Sequence, residues 1–317
     1  MIPPIQHDHG IITLDADYLR PGLAAIHLIV ENGRVAIVDT GTNPSVPLVL
    51  AELKHLGLAP ADVEDVIVTH VHLDHAGAAG ALLQNCRNAK LVVHPKGARH
   101  MIDPARLVAG SIAVYGREHF FEHYGDIVPA PAERVIEADE GFRLDFQGRT
   151  MSFLDTPGHA RHHYCIHDSA SNSLFTGDTF GISYREFDVG DHANPQPFIF
   201  PTTTPVQFEP EALHASIDRL VATGAVAVFL THYGRVTGLA ALAGQLHEQI
   251  DELVALTRAA PGDGQARHDW LKQAVEAGMI RRLRAHGCTL DDAVCKDLLA
   301  NDVELNTQGL LVWRDRG

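Results

Sequence analysis

The feature that most restricts the fold is the segment VIVTHVHLDHAG, residues 66–77, in which an apolar run leads directly into His70, His72, Asp74 and His75. Side chains two positions apart point in nearly opposite directions on a helix, but to the same side on an extended chain. We therefore predict that the first three project together from a strand end or extended loop, and that His75 enters a helix. Packed imidazoles and carboxylates need partners, which a metal ion supplies. The alternative is a solvated, histidine-rich loop.

Other short apolar runs also end in polar side chains. The runs are continuous rather than alternating, which is typical of strands buried on both faces. Helical patterns such as residues 45–58 and 209–223 lie between them. Strands that alternate with helices indicate an α/β layered fold, in which the loops at one end of the sheet gather functional groups. The polar residues after these runs are Asp39, His70, His94, Asp155, His159, Asp178 and His232.

Three of these residues are the strongest candidates for further metal ligands, because four neighbouring groups do not saturate two ions. They are His159 in DTPGH, Asp178 in FTGDT and His232 in LTHYG. Gly158 and Gly177 precede two of them, and glycine permits a close backbone approach. Because a carboxylate can bridge two cations, Asp178 is the best candidate for a bridging ligand.

At this point the chain resembles the metallo-β-lactamase-fold superfamily, because THVHLDH matches the H-x-H-x-D-H signature and Asp39, His159, Asp178 and His232 match its other motifs in the expected order. The resemblance covers about residues 10–235. It implies an α/β fold of the αββα metallo-β-lactamase type, a sandwich here followed by a C-terminal helical extension. It also implies a dinuclear site: His70, His72 and His159 on one ion, Asp74, His75 and His232 on the other, and Asp178 between them. Asp39 would orient the ligand loop by hydrogen bonds.

The ligand types restrict the metal. Imidazoles and carboxylates without thiolates suit zinc, iron or manganese, and zinc is our first choice as a redox-silent Lewis acid. Two ions about 3.5–4 Å apart can hold both the attacking and the leaving oxygen and can make a bridging hydroxide available near neutral pH. Asp74 could orient that hydroxide as well as bind metal.

Several residues outside the ligand set are candidates for the substrate pocket. HFFEH, residues 119–123, places two histidines one helical turn apart, and this matches the H-x-x-E-H pattern of zinc peptidases. Because the other site is far more complete, we expect instead a solvated helix over the pocket. His94 either lines the pocket or caps the turn before Pro95. The pocket candidates are His94, His119, His123, Tyr124, His163 and Tyr184.

The chain organisation follows from where strand signals stop. We predict a metallo-β-lactamase-fold domain over residues 1–237, with a helical insertion around 98–128, and a helical C-terminal extension over 238–317. The last helix is expected to start with Thr289 as its N-cap. The extension could form a homodimer interface or a pocket wall.

Charge and cysteine usage restrict partners and location. The formal net charge of −15 argues against nucleic acid or an anionic membrane as the main partner. Four scattered cysteines and no export signal favour a cytoplasmic protein that acts on a small-molecule substrate.

Together these features predict a hydrolase that uses a bridging hydroxide to attack an activated carbonyl in a thioester, lactone or other ester. Two alternatives keep the same site. One is an iron-dependent oxidoreductase acting on O₂ or persulfide, and the other is a regulatory protein that binds a ligand with little turnover.

Overall fold

The apolar runs form the β-strands of the protein, as described by a computed structural model covering residues 2–191, 194–203 and 206–316. The strands are β1 (Ile5–Gln6), β2 (Ile11–Asp15), β3 (Ala25–Glu31), β4 (Arg34–Val38), β5 (Val63–Ile67), β6 (Lys90–Val93), β7 (Val135–Glu137), β8 (Arg143–Phe146), β9 (Arg149–Asp155), β10 (Tyr164–Asp168), β11 (Ser173–Gly177), β12 (Val189–Asp191), β13 (Asn194–Gln196), β14 (Ala227–Leu230) and β15 (Gly234–Val236).

The helical patterns are also present as helices. They are α1 (Val46–His55), α2 (Leu73–Ala76), α3 (Ala79–Asn85), α4 (Pro95–Ile102), α5 (Ala105–Tyr115), α6 (Arg117–Tyr124), α7 (Pro210–Ala222), α8 (Leu239–Ala259), α9 (Gly264–His286) and α10 (Asp292–Arg316). The predicted α/β sandwich with C-terminal helices is confirmed. Among the described residues, no helix combines the length and apolar character needed to cross a membrane.

The chain divides into two units. The first contains residues up to 155 together with 162–177 and 224–237, and the second contains 156–161, 178–223 and 238 onward. Strands β1–β7, in chain order, form a seven-stranded sheet in the first unit. A six-stranded sheet with the order β15-β14-β11-β10-β9-β8 lies in the same unit.

The two sheets of the first unit share one core. Ile29, Val38 and Ile67 from the seven-stranded sheet belong to the same buried cluster as Phe153 and Phe175 from the six-stranded sheet. Because buried side chains of both sheets contribute to this one core, the sheets pack face to face.

Parallel pairing brings several strand ends to one edge. Strands β4, β5 and β6 run parallel, with Val38 opposite Ile67 and Ile67 opposite Val92. The residues that follow these strands therefore meet at the carboxyl edge of the sheet. The backbone N–H of Asp39 donates to the carbonyl of Ile67 at 2.8 Å, which ties the first of them to the end of β5.

A buried ion pair fixes the six-stranded sheet. Arg149 on β9 donates from Nε and Nη2 to the two carboxylate oxygens of Asp168 on β10, at 2.6 and 2.8 Å. Burial alone would raise the pKa of Asp168, but the hydrogen bonds from Arg149 and Ser171 outweigh it, so this pKa lies below its ordinary value. The paired state is therefore the ionised one.

Replacement of Asp168 by alanine is expected to lower the free energy of unfolding by about 3–5 kcal/mol, because it removes the buried partner of Arg149 and leaves this buried charge with only the partly exposed Glu31, 3.5 Å away. Urea denaturation at pH 7 measures the effect. The depressed pKa adds stability above the unfolded-state value near 4, and that stability is lost as the pH falls through the folded-state value. In the control, Arg34→Ala breaks a partly exposed pair with Asp62 and should cost less than about 1 kcal/mol.

The second unit is mainly helical. Helix α8 buries Leu242, Leu246, Ile250 and Leu253, spaced at three or four residues, so one stripe faces the interior. Helix α10 begins at Asp292, so the predicted N-cap at Thr289 is wrong. The short hairpin β12–β13 pairs Val189 with Gln196.

Candidate metal centre

The histidine-rich segment continues from strand β5 through an extended stretch into the short helix α2. Strand β5 ends at Ile67, and His72 has an extended backbone as the N-cap of α2. Asp74 and His75 therefore lie within the short helix α2. The prediction that the extended chain reaches Asp74 is wrong, because the helix starts two residues earlier than expected.

Three side chains of the first unit form a closed triangle of ligand atoms. His75 Nε2 lies 3.6 Å from Asp74 Oδ2, His232 Nε2 lies 3.3 Å from the same oxygen, and the two nitrogens are 3.3 Å apart. A circle through atoms at these separations has a radius of about 2.0 Å, which matches usual zinc–nitrogen and zinc–oxygen distances of about 2.0–2.2 Å. The donor set and its spacing therefore fit a metal ion without rearrangement.

Asp39 holds one member of this triangle, His75, through a network of buried hydrogen bonds. Its carboxylate is fully buried and accepts from the Thr69 backbone N–H at 2.8 Å and from the Thr69 hydroxyl. It also accepts from the Thr231 hydroxyl at 2.6 Å and from His75 Nδ1 at 2.8 Å. Because the Nδ1–H of His75 donates a hydrogen bond to Asp39, Nε2 presents a lone pair to the triangle, as a metal-binding histidine requires.

His232 is oriented by a different acceptor. Its Nδ1 donates to the carbonyl of Leu23 at 2.7 Å, on the loop between β2 and β3. This bond fixes the same tautomer as in His75, so both nitrogens of the triangle face inward as acceptors. The main chain of the helix is also anchored, since the hydroxyl of Thr40 donates to the carbonyl of His75 at 2.8 Å.

Beside the triangle, the first unit places His70 and His72 together. His70 Nε2 and His72 Nδ1 are 2.7 Å apart. His163 stacks on His70 with ring centroids 4.8 Å apart. A Cβ on Gly177 would lie 2.5 Å from Thr69 Oγ1 and 2.6 Å from His163 Nε2, so this position requires glycine.

The second unit holds the other two predicted ligands next to each other. His159 Nε2 lies 3.3 Å from Asp178 Oδ2, and His159 Nδ1 donates to the carbonyl of Thr202 at 3.2 Å. A Cβ on Gly158 would meet backbone atoms of Leu213 at 2.4 Å. The backbone before His159 is therefore held close to α7, as the predicted need for glycine implied.

The predicted pocket residues have structural partners. His94 caps α4 by accepting from the Lys96 N–H, and its Nε2 lies 3.1 Å from Asp155 Oδ1. Burial, partly offset by Asp155, lowers the pKa of His94. Tyr184 donates to the Asp302 carboxylate at 3.0 Å. Pocket roles for His94, His163 and Tyr184 remain predictions.

The insertion predicted around residues 98–128 consists of α4, α5 and α6. On α6, His119 Nδ1 lies 3.3 Å from His123 Nε2 and 3.8 Å from Glu122 Oε2, and His119 and Glu122 are exposed. The three could share an ion. Tyr124 is buried and its hydroxyl lies 2.7 Å from that of Tyr18, on the same β2–β3 loop as Leu23. Contact of His119, His123 or Tyr124 with substrate remains a prediction.

Sequence reasoning missed the groups that orient the ligands. Thr69 and Thr231 directly precede His70 and His232, and this shared Thr-His pair is a signal that could have suggested their role at Asp39. The carbonyls of Leu23 and Thr202 carry no side-chain signal. It also missed His27, which is buried between Thr13 and the Leu230 carbonyl, and whose pKa burial lowers to about 4.

Comparison with known proteins identifies the family of this chain. The family model described as "Metallo-beta-lactamase superfamily" matches residues 19–232. The metallo-beta-lactamase fold-containing protein ST1585 of Sulfurisphaera tokodaii is 25% identical over 194 residues, which is 59% of this chain and 64% of that protein. The crystal structure of ST1585 from Sulfolobus tokodaii superposes with a TM-score of 0.66 at 20% identity, over 96% of this chain and 99% of the other, and shares the fold.

Two curated hydrolases are similar over shorter regions. The N-acyl homoserine lactonase AttM of Azorhizobium caulinodans is 31% identical over 115 residues, 36% of this chain and 39% of that protein. The hydroxyacylglutathione hydrolase of Aeromonas salmonicida is 25% identical over 154 residues, 49% of this chain and 45% of that protein. This chain therefore spans less than half of either hydrolase. The family match, in contrast, covers most of the chain, which belongs to the metallo-beta-lactamase superfamily.

Proposed function

We propose that this protein is a metal-dependent hydrolase that attacks an activated carbonyl carbon of a thioester, lactone or other ester. The observation that carries the proposal is the preformed triangle of Asp74, His75 and His232. Two of its ligands already hold the metal-binding tautomer through Asp39 and Leu23.

The proposed ligand assignment follows the family pattern. Asp74, His75 and His232 would hold one ion, His70, His72 and His159 the other, and Asp178 would bridge them. The pairing of His70 with His72 and of His159 with Asp178 supports this division. Zinc is the first expectation, with iron or manganese compatible with the same donors.

When bound, the ions supply Lewis acidity and bring the pKa of water toward 7. The protein's contribution is orientation. Asp74 offers one carboxylate oxygen to the triangle, and its carboxylate would accept a hydrogen bond from the attacking water. Asp39 keeps His75 from rotating, and the buried position of both imidazoles keeps bulk water from replacing them.

The choice of an ester-type carbonyl rests on the two hydrolases with similar sequences. One is an N-acyl homoserine lactonase and the other a hydroxyacylglutathione hydrolase, as their names state. A lactone and an acyl group on glutathione both offer a carbonyl carbon to a nucleophile, and a site that polarises this carbonyl accelerates the attack.

The test is metal analysis of protein purified without added metal, followed by assays on lactones, thioesters, aryl esters and phosphodiesters. We expect about two ions per chain and turnover of at least one carbonyl ester. Removal of metal with a chelator should return the rate to background, and added Zn²⁺, Mn²⁺ or Fe²⁺ should restore it. Oxygen uptake by an iron-loaded sample would instead favour the oxidoreductase, and a metal-loaded but inert protein would favour the ligand-binding alternative.

A further inference from the structure

A short irregular segment of the second unit, residues 199–203, is held by two buried amides of the C-terminal helices. Gln249 on α8 donates to the carbonyl of Ile199 at 2.8 Å. Asn306 on α10 accepts from the Thr203 N–H at 2.7 Å and donates to the carbonyl of Pro201 at 3.3 Å. The Thr203 hydroxyl also donates to the backbone carbonyl of Asn306 at 3.1 Å. The side chain of Asn306 therefore bonds to the residues on both sides of Thr202.

Thr202, which lies between the two residues bonded to Asn306, orients the proposed metal ligand His159. The Thr202 carbonyl accepts the Nδ1 proton of His159 at 3.2 Å. With Nδ1 as the donor, the unprotonated ring nitrogen of His159 is Nε2, which lies 3.3 Å from Asp178 Oδ2. Acceptors of this kind fix the tautomer and the ring orientation of metal-binding histidines. A shift of Thr202 would therefore move the His159 ring or release its tautomer.

Backbone pairing holds the start of this segment. Phe200 pairs with Ile182 through backbone hydrogen bonds. Asn306 then supplies hydrogen bonds to Pro201 and Thr203, the residues on either side of Thr202.

The presence of an asparagine at position 306 also needs an explanation. Asparagine is a poor residue for a helix interior, and an apolar side chain would pack at 2% exposure without the cost of burying an amide. Its amide makes one bond as acceptor and one as donor, both to the same loop. A purely stabilising role is the competing explanation, because these bonds also satisfy buried backbone groups.

We infer that Asn306 is a positioning residue for the metal ligand His159, acting through the Thr202 carbonyl, with Gln249 as a secondary support. This inference rests on the proposed function, since it requires that His159 binds metal. It gives the C-terminal helices a role in the metal centre: α10 sets the direction in which one ligand points.

The test compares Asn306→Leu with Thr307→Val. The hydroxyl of Thr307 is equally buried on α10, but it donates within the helix to the Val303 carbonyl, so its loss does not touch the segment. Chelator competition measures the two metal dissociation constants at a temperature where circular dichroism shows every variant folded. We expect Asn306→Leu to weaken one ion by about 10- to 100-fold and the other by less than twofold. Thr307→Val should leave both unchanged within twofold, and Gln249→Leu should change one by less than about threefold.

A second measurement does not depend on metal. Nitrogen-detected NMR of the metal-free protein reports which ring nitrogen of His159 carries the proton. Wild type should show the Nδ1–H form, and Asn306→Leu should show a mixture. If Asn306→Leu does not fold, Asn306→Asp keeps the acceptor for the Thr203 N–H, and an affinity loss of about three- to tenfold is expected.

Unchanged affinity for both ions together with an unchanged His159 tautomer, in a folded Asn306 variant, would overturn the inference and leave Asn306 a stabilising residue only. Failure of the proposed function looks different: the wild-type protein itself would bind no metal, whereas the tautomer comparison could still be made.

Discussion

Replacement of Asp74 by alanine is expected to abolish turnover and to remove one of the two metal ions. Asp74 supplies one corner of the triangle, with its Oδ2 3.3 Å from His232 Nε2 and 3.6 Å from His75 Nε2. Two imidazoles alone would bind the ion far more weakly, and no carboxylate would orient water. A bound metal contributes several kcal/mol of transition-state stabilisation, and each 1.36 kcal/mol is tenfold in rate. The expected fall in kcat/KM is therefore about a thousandfold or more.

Metal content and kcat/KM, measured on the same preparation, check this prediction. The side chain of Asp74 is only partly buried, so stability should change little and urea denaturation should confirm that the variant is folded. Asp8→Ala is the matched control, because Asp8 is an exposed aspartate of the same unit outside the ligand groups. Full metal content with retained activity in Asp74→Ala would contradict the ligand assignment and the proposed role in orienting water.

The proximity of several candidate ligands could be predicted from the sequence because these side chains follow apolar runs. A run of buried residues indicates a strand, and parallel strands bring their carboxyl ends to one edge. Asp39 and His75 could therefore be expected near each other, and their 2.8 Å contact agrees with that. Spacing alone did not reveal where the helix begins, because His72 is the N-cap of α2 and has no cap signature in its side chain.

What the sequence could not predict are the groups that orient those ligands. Backbone carbonyls such as those of Leu23 and Thr202 are present at every position, so only the folded chain shows which of them accepts a histidine proton. Asn306 lies 103 positions from Thr203, and a single asparagine in a helical pattern reads as an ordinary polar residue. Contacts of this kind depend on tertiary packing, which local patterns do not encode.

The same limit applied to residues that look functional. His94 follows strand β6 and caps a helix, and Tyr184 donates to Asp302. The sequence left two alternatives open for His94, and capping is the one that the hydrogen bond to Lys96 supports. A structural partner does not exclude contact with substrate, so the pocket roles of both residues stay predictions.

The side chain of Asp39 contributes both to the fold and to the candidate metal centre. Its replacement should therefore have the largest combined effect on stability and metal binding. Asp39→Ala would leave the Thr69 N–H, two threonine hydroxyls and His75 Nδ1 without their acceptor in a buried location. Each unsatisfied buried donor costs about 1–3 kcal/mol, although hydroxyls can turn to other partners. We expect the free energy of unfolding to fall by about 3 kcal/mol or more. Urea denaturation measures it.

Asp39→Asn separates the role in the site from the role in the fold. An amide keeps the volume, but its NH₂ group cannot accept the His75 Nδ1 proton when its oxygen faces Thr69. The ring of His75 would then favour the Nε2–H tautomer, and Nε2 could no longer bind the ion shared with Asp74 and His232. The expected result is a folded protein that has lost one ion. Thr231→Val removes one donor to Asp39 but leaves His75 in place, so it should cost about 1 kcal/mol and keep both ions. If Asp39→Asn bound two ions with wild-type affinity, Asp39 would not control the tautomer of His75. The role of Asp39 would then be limited to the stability of the fold.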